Sequence, residues 1–148
     1  KGQASLTAQE LNGKALFEDF TKGDCIHCHT LGRNFTDFTY RNNGLDSIPA
    51  DSGRAKITLN PNDLGKFKVP SLRNIEVTAP YMHDGRFSTL QQVLTHYNTG
   101  FHLASNLDPN IRLAVKGRMT QQDMDDIIAF LRTLTDQDFL TNPAFGRP

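Results

Sequence analysis

One short motif limits what this chain can fold into more than any other feature. The stretch Cys25-Ile26-His27-Cys28-His29 has the C-x-x-C-H spacing, in which two thiols bond covalently to the vinyl groups of haem and the following histidine ligates the iron. A chain that carries such a large, flat, apolar group has to build its core around it. The motif therefore predicts a c-type haem protein, with His29 as one axial ligand of the iron.

Two other kinds of site also use a C-x-x-C pair, namely a zinc site and a redox-active dithiol. Zinc sites generally need a second pair of Cys or His ligands at similar spacing, and Cys25 and Cys28 are the only cysteines in the chain. A thioredoxin-like dithiol belongs in a βαβ context, which the sequence does not indicate. Neither site requires the histidine that follows, so both stay open as the weaker alternatives.

The length of the chain fits one small domain, and its net charge indicates no strongly charged partner. The 148 residues suit a single domain, 1–148. Sixteen basic and sixteen acidic side chains balance to a net charge of zero, which argues against nucleic acid or an anionic membrane as a partner. No apolar run approaches the roughly 20 residues of a membrane span. Since Lys1 is not an initiator methionine, we expect a processed form or an excised fragment.

Hydrophobic periodicity predicts three good helices. The first is predicted over Leu6 to Phe20, with Thr7 and Glu10 at capping-box spacing. Ser88 is expected to cap the second helix, which ends before Gly100. Thr120 is expected to cap the third, whose apolar residues form one stripe. We expect the first and third helices to pack against each other as a terminal pair.

The middle of the chain, residues 31–85, is predicted to be mostly loop because it is rich in glycine, proline and polar turns. Loops of this length are usually functional or wrapped around something, and haem is the evident candidate. The chain has ten phenylalanines and no tryptophan. Its phenylalanines can line a haem pocket without introducing an indole N–H that needs an acceptor. The phenylalanines that could line the haem are Phe17, Phe20, Phe35, Phe67, Phe87 and Phe130.

Two longer motifs make the chain resemble a known family. Residues 65–74 read GKFKVPSLRN and residues 78–87 read TAPYMHDGRF, and both closely resemble the C-terminal haem domain of bacterial di-haem cytochrome c peroxidases and their MauG-type relatives. The resemblance extends to GKALF at 13–17, the helix at 90–100 and IAFLRTLT at 128–135. It implies an all-α, cytochrome c-like fold with about three main helices and long loops wrapped around one covalently bound haem.

The resemblance also implies a function in electron transfer. In these peroxidases the corresponding domain receives electrons from a small redox protein, such as a cytochrome c or a cupredoxin, and passes them to a second, peroxide-reducing haem. The family carries that second C-x-x-C-H motif N-terminal to this domain, whereas this chain contains one such motif. Haem attachment to cysteine takes place outside the bacterial cytoplasm, so we expect a periplasmic protein with a second haem domain as a partner.

The sixth ligand of the iron is assigned through the same resemblance. In the peroxidases it is a methionine that follows the proline of the T-x-P-Y motif by seventeen residues, and that count from Pro80 reaches Tyr97. MauG-type members have tyrosine at this position, so Tyr97 is the expected ligand. Met119 is the main alternative, and Met82 and Met124 follow it. A phenolate is a hard anion that favours ferric iron, whereas a thioether raises the reduction potential.

The two haem propionates need partners, because buried unpaired carboxylates are costly. Arg73 and His83 lie in predicted loops and are the expected partners. The alternative is that Arg73 is solvated and His83 is a turn residue bonded to its own backbone. His27 occupies a variable position within the motif and is expected to be exposed. His96 should point away from any iron bound by its neighbour Tyr97.

A calcium ion is the second cofactor that the resemblance implies. Peroxidases of this family hold Ca²⁺ between their two haem domains, partly through backbone carbonyls that correspond to Thr78 and Pro80. Because calcium prefers six to eight oxygen ligands, two carbonyls form only part of a site. We therefore expect calcium in a two-domain assembly more than in this chain alone.

Two functions of other classes remain as alternatives. The chain could be a self-sufficient haem peroxidase, which needs an open iron position and an acid/base group such as His83 or Glu76. It could also be a haem-based sensor or interaction module, which predicts redox chemistry without turnover. Whether the chain is an enzyme by itself is therefore left open at this stage.

Overall fold

The computed structural model describes residues 5–114 and 116–146. Its α-helices in these residues are α1 (Ala8–Glu18), α2 (Ala55–Thr58), α3 (Leu90–Thr95), α4 (Pro109–Leu113), α5 (Gln121–Arg132) and α6 (Gln137–Thr141). Two short strands, β1 (Tyr40–Arg41) and β2 (Phe67–Lys68), pair antiparallel. Single 3-10 turns cover Cys25–His27, Pro61–Asp63, Ile75–Val77 and Pro143–Phe145, and a π-helical turn covers His96–Gly100. Lys1, on which the expectation of a processed chain rests, lies outside the described residues.

The predicted helical fold is confirmed, but the count of about three helices is too low. The three predicted helices correspond to α1, α3 and α5, and the described residues add α2, α4 and α6. These additional helices contain only four or five residues. One turn of helix is too short to show hydrophobic periodicity, so the sequence pattern could not reveal them. In the part of the chain that the structure describes, each helix is too short or too polar to cross a bilayer.

Helices α1 and α5 pack against each other as expected, and they form the centre of the core. Phe17 of α1 is 1% exposed and Ile127 of α5 is fully buried. The capping box at the start of α1 is also confirmed, since Glu10 N donates to Thr7 Oγ1 and the Glu10 carboxylate accepts from Thr7 N. Thr120 caps α5 in the same way through Asp123. Helices α1 and α5, which are far apart in sequence, are thereby packed around one apolar cluster.

The cap of α3 differs from the expectation. Thr89, not Ser88, is the N-cap residue, because its extended backbone places Oγ1 where it accepts from Gln92 N. The Gln92 side chain accepts in return from the backbone N–H of Thr89, at 3.1 Å, and from that of Ser88, at 2.8 Å. Ser88 and Thr89 are each followed by Gln three residues later, and the structure forms the capping box with Thr89 and Gln92. Ser88 therefore assists the cap from the preceding position.

The chain between residues 31 and 85 is mostly irregular, as predicted, with only α2, the two strands and two 3-10 turns. It is nevertheless tied to the core at several points. Thr36 is 2% exposed and donates from Oγ1 to the carbonyl of Val69. Asp37 N donates to the carbonyl of Cys28 at 2.9 Å. The second of these bonds fixes the loop to the cysteine motif at Cys28.

Candidate haem site

The cysteine motif forms a compact turn at the end of the first loop. Cys25 begins a 3-10 turn, and its carbonyl accepts from His29 N at 2.8 Å and from Cys28 N at 3.3 Å. Burial raises the pKa of each thiol to about 12. A redox-active dithiol needs a lowered thiol pKa, since the thiolate is the reactive species. The environment of Cys25 and Cys28 is therefore unlike that of a dithiol site.

The zinc alternative also lacks support. Among residues 5–114 and 116–146, no group of three or more His, Cys, Asp or Glu side chains is arranged to hold a metal ion. A structural zinc site needs four such ligands. The motif retains the feature that separates it from both alternatives, which is the histidine directly after the second cysteine.

His29 is oriented by the loop that follows it. Its Nδ1 lies 2.9 Å from the carbonyl oxygen of Phe35, and because a carbonyl can only accept, Nδ1 carries the proton. That tautomer leaves the Nε2 lone pair free to bind a metal. Burial lowers the pKa of the imidazole, which favours the neutral form that ligation requires. Phe35 has φ of +55°, an uncommon backbone conformation in the residue that supplies this acceptor.

Tyr97 lies in the π-helical turn that extends α3. Such turns often occur at functional sites. Its hydroxyl accepts a weak hydrogen bond from Asn43 Nδ2 at 3.4 Å. Burial raises the pKa of Tyr97 to about 12. The structure thus holds the tyrosyl hydroxyl in its neutral form, within hydrogen-bond distance of Asn43.

The methionines differ in their surroundings. The Sδ of Met82 lies 3.3 Å from Asn43 Nδ2, the same nitrogen that donates to Tyr97. Met119 is 4% exposed within the main core, and its backbone N and O bond to the side chain of Asn98. Met124 Sδ lies 3.7 Å from Gln91 Nε2. The assignment of the sixth ligand stays a prediction, and Met82 becomes a stronger alternative than the sequence indicated.

The two expected propionate partners have other contacts. Arg73 is half exposed, pairs with Asp136 at 2.6 Å and lies over the ring of Phe139. His83 is exposed and stacks on Phe67, with ring centroids 3.7 Å apart. These contacts match the solvated alternative for Arg73 and give His83 a partner that the sequence did not suggest. Neither contact tests the propionate assignments, which stay predictions.

Sequence reasoning missed a charged group beside the motif. The guanidinium of Arg41 donates to Asp37 Oδ2 at 2.6 and 2.9 Å and to Asp108 Oδ2 at 2.5 Å. These two carboxylates raise the pKa of Arg41, and its charge also interacts with the Cys28 thiol. Asp108 follows Arg41 by many residues, so no local pattern could pair them.

Two further histidines have structural contacts. His27 is exposed, as expected, stacks on Phe20 with centroids 4.8 Å apart and pairs with Asp24. His96 is buried, and its Nε2 lies 3.1 Å from the carbonyl of Asn43. Burial lowers the pKa of His96, so this ring is neutral and donates to that carbonyl.

Among the phenylalanines expected to line the haem, Phe17, Phe35 and Phe130 form an edge-to-face cluster. Cys25 packs against the same core. By contrast, Phe20 is 64% exposed. The cluster provides an apolar wall next to the motif, which a haem ring needs.

The segment expected to contribute to a calcium site lies at the surface. Thr78, Ala79 and Pro80 are all exposed, and the Ala79–Pro80 peptide bond is cis. Thr78 Oγ1 donates to the carbonyl of Ile75 at 3.2 Å. The backbone carbonyls of Thr78 and Pro80 are thus available from outside the domain, and calcium binding stays a prediction.

The donor set as a whole fits a covalently bound haem. Two neutral thiols lie on one turn, the histidine after them has Nδ1 bonded to the Phe35 carbonyl so that its lone pair is on Nε2, and the Tyr97 hydroxyl is hydrogen-bonded to Asn43. Neutral thiols are the groups that become thioethers, and a neutral imidazole is the proximal ligand of many haem proteins. The residues present therefore meet the chemical requirements of haem c.

Comparisons with known proteins point in the same direction. A family model for cytochrome c matches residues 11–135. The cytochrome-c peroxidase IdrP1 of Denitromonas iodatirespirans is 30% identical, and the match covers 90% of this chain and 42% of that protein. The crystal structure of a MauG-like protein associated with microbial copper homeostasis is similar with a TM-score of 0.87 and 34% identity, over 100% of this chain and 53% of that one. The diheme peroxidase BthA of Burkholderia thailandensis gives a TM-score of 0.73 and 29% identity, over 99% of this chain and 48% of that one. The chain thus spans about half the length of the proteins that it matches.

Proposed function

The chain belongs to the cytochrome c family, whose domains carry covalently bound haem c, and from this premise we propose that it is an electron-transfer domain. Its homologues are MauG-type proteins and cytochrome c peroxidases. The domain would hold one haem, take electrons from a small redox protein such as a cytochrome c or a cupredoxin, and pass them to a peroxide-reducing haem in a second domain. Its compartment would be the periplasm.

The observation that supports this proposal most is the environment of the two residues that we propose as axial ligands. The Nδ1 of His29 lies 2.9 Å from the Phe35 carbonyl, which leaves the imidazole lone pair on Nε2, and the Tyr97 hydroxyl lies in a π-helical turn, 3.4 Å from Asn43 Nδ2. When two side chains occupy both axial positions, peroxide has no open coordination site. The distal environment decides between activation of oxygen species and electron transfer, and a filled position favours electron transfer.

The bound haem would supply a one-electron Fe(III)/Fe(II) couple. The protein residues determine how that couple behaves. Cys25 and Cys28 would hold the ring at two points, and the Phe35 carbonyl keeps the His29 ring in one orientation and one tautomer. Tyr97 would lose its proton on ligation, and its anionic oxygen would favour the ferric state. A lower reduction potential would favour the onward step, electron transfer to a peroxide-reducing haem.

The length relationship supports a second haem domain as the partner. The diheme peroxidase BthA is about twice as long as the region it shares with this chain, and this chain contains a single C-x-x-C-H motif. The exposed segment with Thr78 and Pro80 would supply backbone carbonyls to a calcium ion shared with that domain. Since those carbonyls would form only part of the six to eight ligands that calcium prefers, we expect the isolated chain to bind Ca²⁺ weakly, which calorimetry would measure.

A self-sufficient peroxidase receives less support. Such an enzyme needs an acid/base group near the iron. His83 is exposed and stacked on Phe67. Glu76 is exposed, pairs with Arg132 at 3.4 Å and accepts from Thr135. No contact between either side chain and His29 or Tyr97 is seen in the described residues.

The test uses the holoprotein, produced with haem attached by a bacterial c-type maturation system. The oxidised holoprotein is mixed with a reduced small cytochrome c or cupredoxin in a stopped-flow instrument, and peroxide consumption is measured separately. We expect rapid electron transfer and no sustained peroxide consumption by the chain alone. Sustained consumption would show an enzyme, and absence of electron exchange would favour the sensor alternative. A Cys25→Ala, Cys28→Ala variant, which cannot attach haem, is the control for both measurements.

A further inference from the structure

We infer that Met82 is a second potential axial ligand, held beside Tyr97 by the side chain of Asn43, and that it binds the iron when the tyrosyl oxygen is removed. This inference rests on the proposed function, because it assumes a haem ligated by His29 and Tyr97. The sequence pattern ranked Met82 low as a ligand, and it did not indicate Asn43 as a positioning residue.

The geometry at Asn43 is the first observation. Its Nδ2 lies 3.3 Å from the Sδ of Met82 and 3.4 Å from the hydroxyl oxygen of Tyr97. Two atoms within these distances of one nitrogen are less than 7 Å apart, as the sum of the two distances requires. A methionine side chain has three rotatable bonds and can move by a few ångströms. Met82 is therefore close enough to take the place of the Tyr97 oxygen.

Asn43 is itself held firmly. Its carbonyl accepts from Nε2 of the buried His96, the residue directly before Tyr97. On either side of Asn43, Asn42 O accepts from Asp108 N at 3.0 Å and Gly44 O accepts from His102 N at 2.7 Å. The segment that carries Asn43 is therefore bonded to the Tyr97 turn and to the loop after it. Its amide group provides a fixed donor near both candidate ligands.

The backbone of Met82 is the second, independent observation. Met82 has φ of +73°, in a region that residues with a β-carbon seldom adopt. Outliers of this kind persist only where surrounding structure enforces them, and they cluster at functional sites. Here Tyr81, the preceding residue, is bridged to Phe87, and the carbonyl of Met82 accepts from Gly85 N. The turn thus fixes the backbone of a residue whose Sδ lies 3.3 Å from Asn43 Nδ2.

Met119 provides the contrast. Its backbone N and O both bond to the side chain of Asn98, and its side chain belongs to the main apolar core with Phe17 and Leu94. Moving its sulfur to an iron ligated by Tyr97 would leave a gap in that core, and such cavities cost free energy. Met82 is only partly buried, so its side chain can move without opening a core cavity.

The chemistry of the exchange is simple in a variant without the phenol oxygen. In Tyr97→Phe the sixth position loses its anionic ligand, and the neutral thioether of Met82 forms one Fe–S bond and displaces any water bound there. No proton or electron is transferred in this step. The product has His/Met ligation, which raises the reduction potential relative to an anionic oxygen ligand.

The experiment compares the holoproteins of wild type, Tyr97→Phe, Tyr97→Phe/Met82→Leu and Tyr97→Phe/Met119→Leu. We expect Tyr97→Phe to gain the far-red band of methionine bound to ferric low-spin iron and to show a higher reduction potential. The band should disappear in the variant that also lacks Met82 and persist in the variant that lacks Met119. Loss of the band with Met119→Leu, or no band in Tyr97→Phe, would overturn the inference.

The failure of the proposed ligation is a separate outcome. If the ferric EPR and optical spectra of Tyr97→Phe equal those of the wild type, Tyr97 is not a ligand and the premise fails.

Asn43 is tested in the Tyr97→Phe background with Asn43→Leu, which keeps the volume but removes the amide. We expect a weaker far-red band and a split population of spin states, and rescue when Asn43 is replaced by Gln. An unchanged band in Asn43→Leu would remove Asn43 from the role of positioning residue.

Discussion

The backbone of Gly13 lies directly against that of Asp126, so that a β-carbon at Gly13 would be 1.8 Å from the Asp126 carbonyl oxygen. This contact lets α1 and α5 cross closely enough to bury Phe17 and Ile127. The neighbouring atom is backbone and cannot rotate away. The glycine is therefore required by the approach of the two helices and not by its own dihedral angles.

Gly13→Ala should destabilise the protein strongly. The added methyl group forces the two helices apart, and overpacking of this kind typically costs 1–3 kcal/mol, so we expect about 3 kcal/mol or more. Denaturant unfolding of the holoprotein, monitored by far-UV circular dichroism, measures the change. Gly100→Ala is a matched control, since a β-carbon there would meet its nearest neighbour at 3.7 Å. A loss of less than 1 kcal/mol in Gly13→Ala would mean that the helices can separate without cost.

The carboxylate of Asp126 makes the stability of the packing between α1 and α5 dependent on pH. Its side chain accepts from Asn12 Nδ2 at 2.6 Å, from Gln9 Nε2 at 2.9 Å and from Gln122 Nε2 at 2.7 Å. These hydrogen bonds hold the pKa of Asp126 below its ordinary value of 3.8. A depressed pKa in the folded state means that the unfolded state binds more protons, so the stabilisation is present above the unfolded pKa and is lost as the pH falls through the folded pKa.

We therefore expect Asp126→Asn to be less stable than the wild type near neutral pH. The difference in unfolding free energy should shrink as the pH falls from about 5 to below the folded pKa, where the wild-type side chain is also neutral. Parallel denaturant titrations at a series of pH values test this. Asp125→Asn, on the exposed face of α5, is the control. A difference between wild type and Asp126→Asn that does not change with pH would contradict the electrostatic explanation.

Arg41 and Arg86 each bridge two aspartates, and the two clusters differ in how far they are exposed to solvent. Arg41, which is 25% exposed, joins Asp37 and Asp108, which are 13% and 5% exposed. Arg86 joins Asp46 and Asp84, and all three of these side chains are about one-third exposed. Exposed ion pairs contribute about 0–1 kcal/mol, whereas removing one partner of a buried pair leaves an uncompensated charge.

Arg41→Leu should therefore lose about 2–4 kcal/mol of unfolding free energy, while Arg86→Leu should lose about 1 kcal/mol or less. In the holoprotein, Arg41→Leu should also lower the reduction potential, because Asp108 and Asp37, whose N–H donates to the Cys28 carbonyl, lose the cation that balances their charge. Unfolding experiments and a redox titration measure the two effects. Equal losses in both variants would show that burial does not distinguish the two clusters.

The sequence predicted the parts of this molecule that depend on neighbouring residues. The C-x-x-C-H motif, the capping box at Thr7 and the apolar stripe of α5 are local patterns, and the structure contains each of them as a turn, a cap and a buried face. The convergence of Arg41 with Asp108 and of Asn43 with Met82 depends on how long loops fold back. No periodicity or spacing records such contacts, so only the three-dimensional structure could reveal them.

The hydrogen bond from Asn43 to Tyr97 provides the last prediction, which concerns the reduction potential. A donor to a phenolate ligand withdraws negative charge from its oxygen, so its removal should strengthen the Fe–O bond and further stabilise ferric iron. Asn43→Leu should therefore lower the reduction potential of the otherwise wild-type holoprotein. Because the contact is long, at 3.4 Å, we expect a shift on the order of 60 mV, equivalent to about 1.4 kcal/mol for one electron. A spectroelectrochemical titration measures the shift, with Asn62→Leu in an exposed turn as the control. An unchanged or raised potential in Asn43→Leu would mean that this amide does not act on a ligated Tyr97.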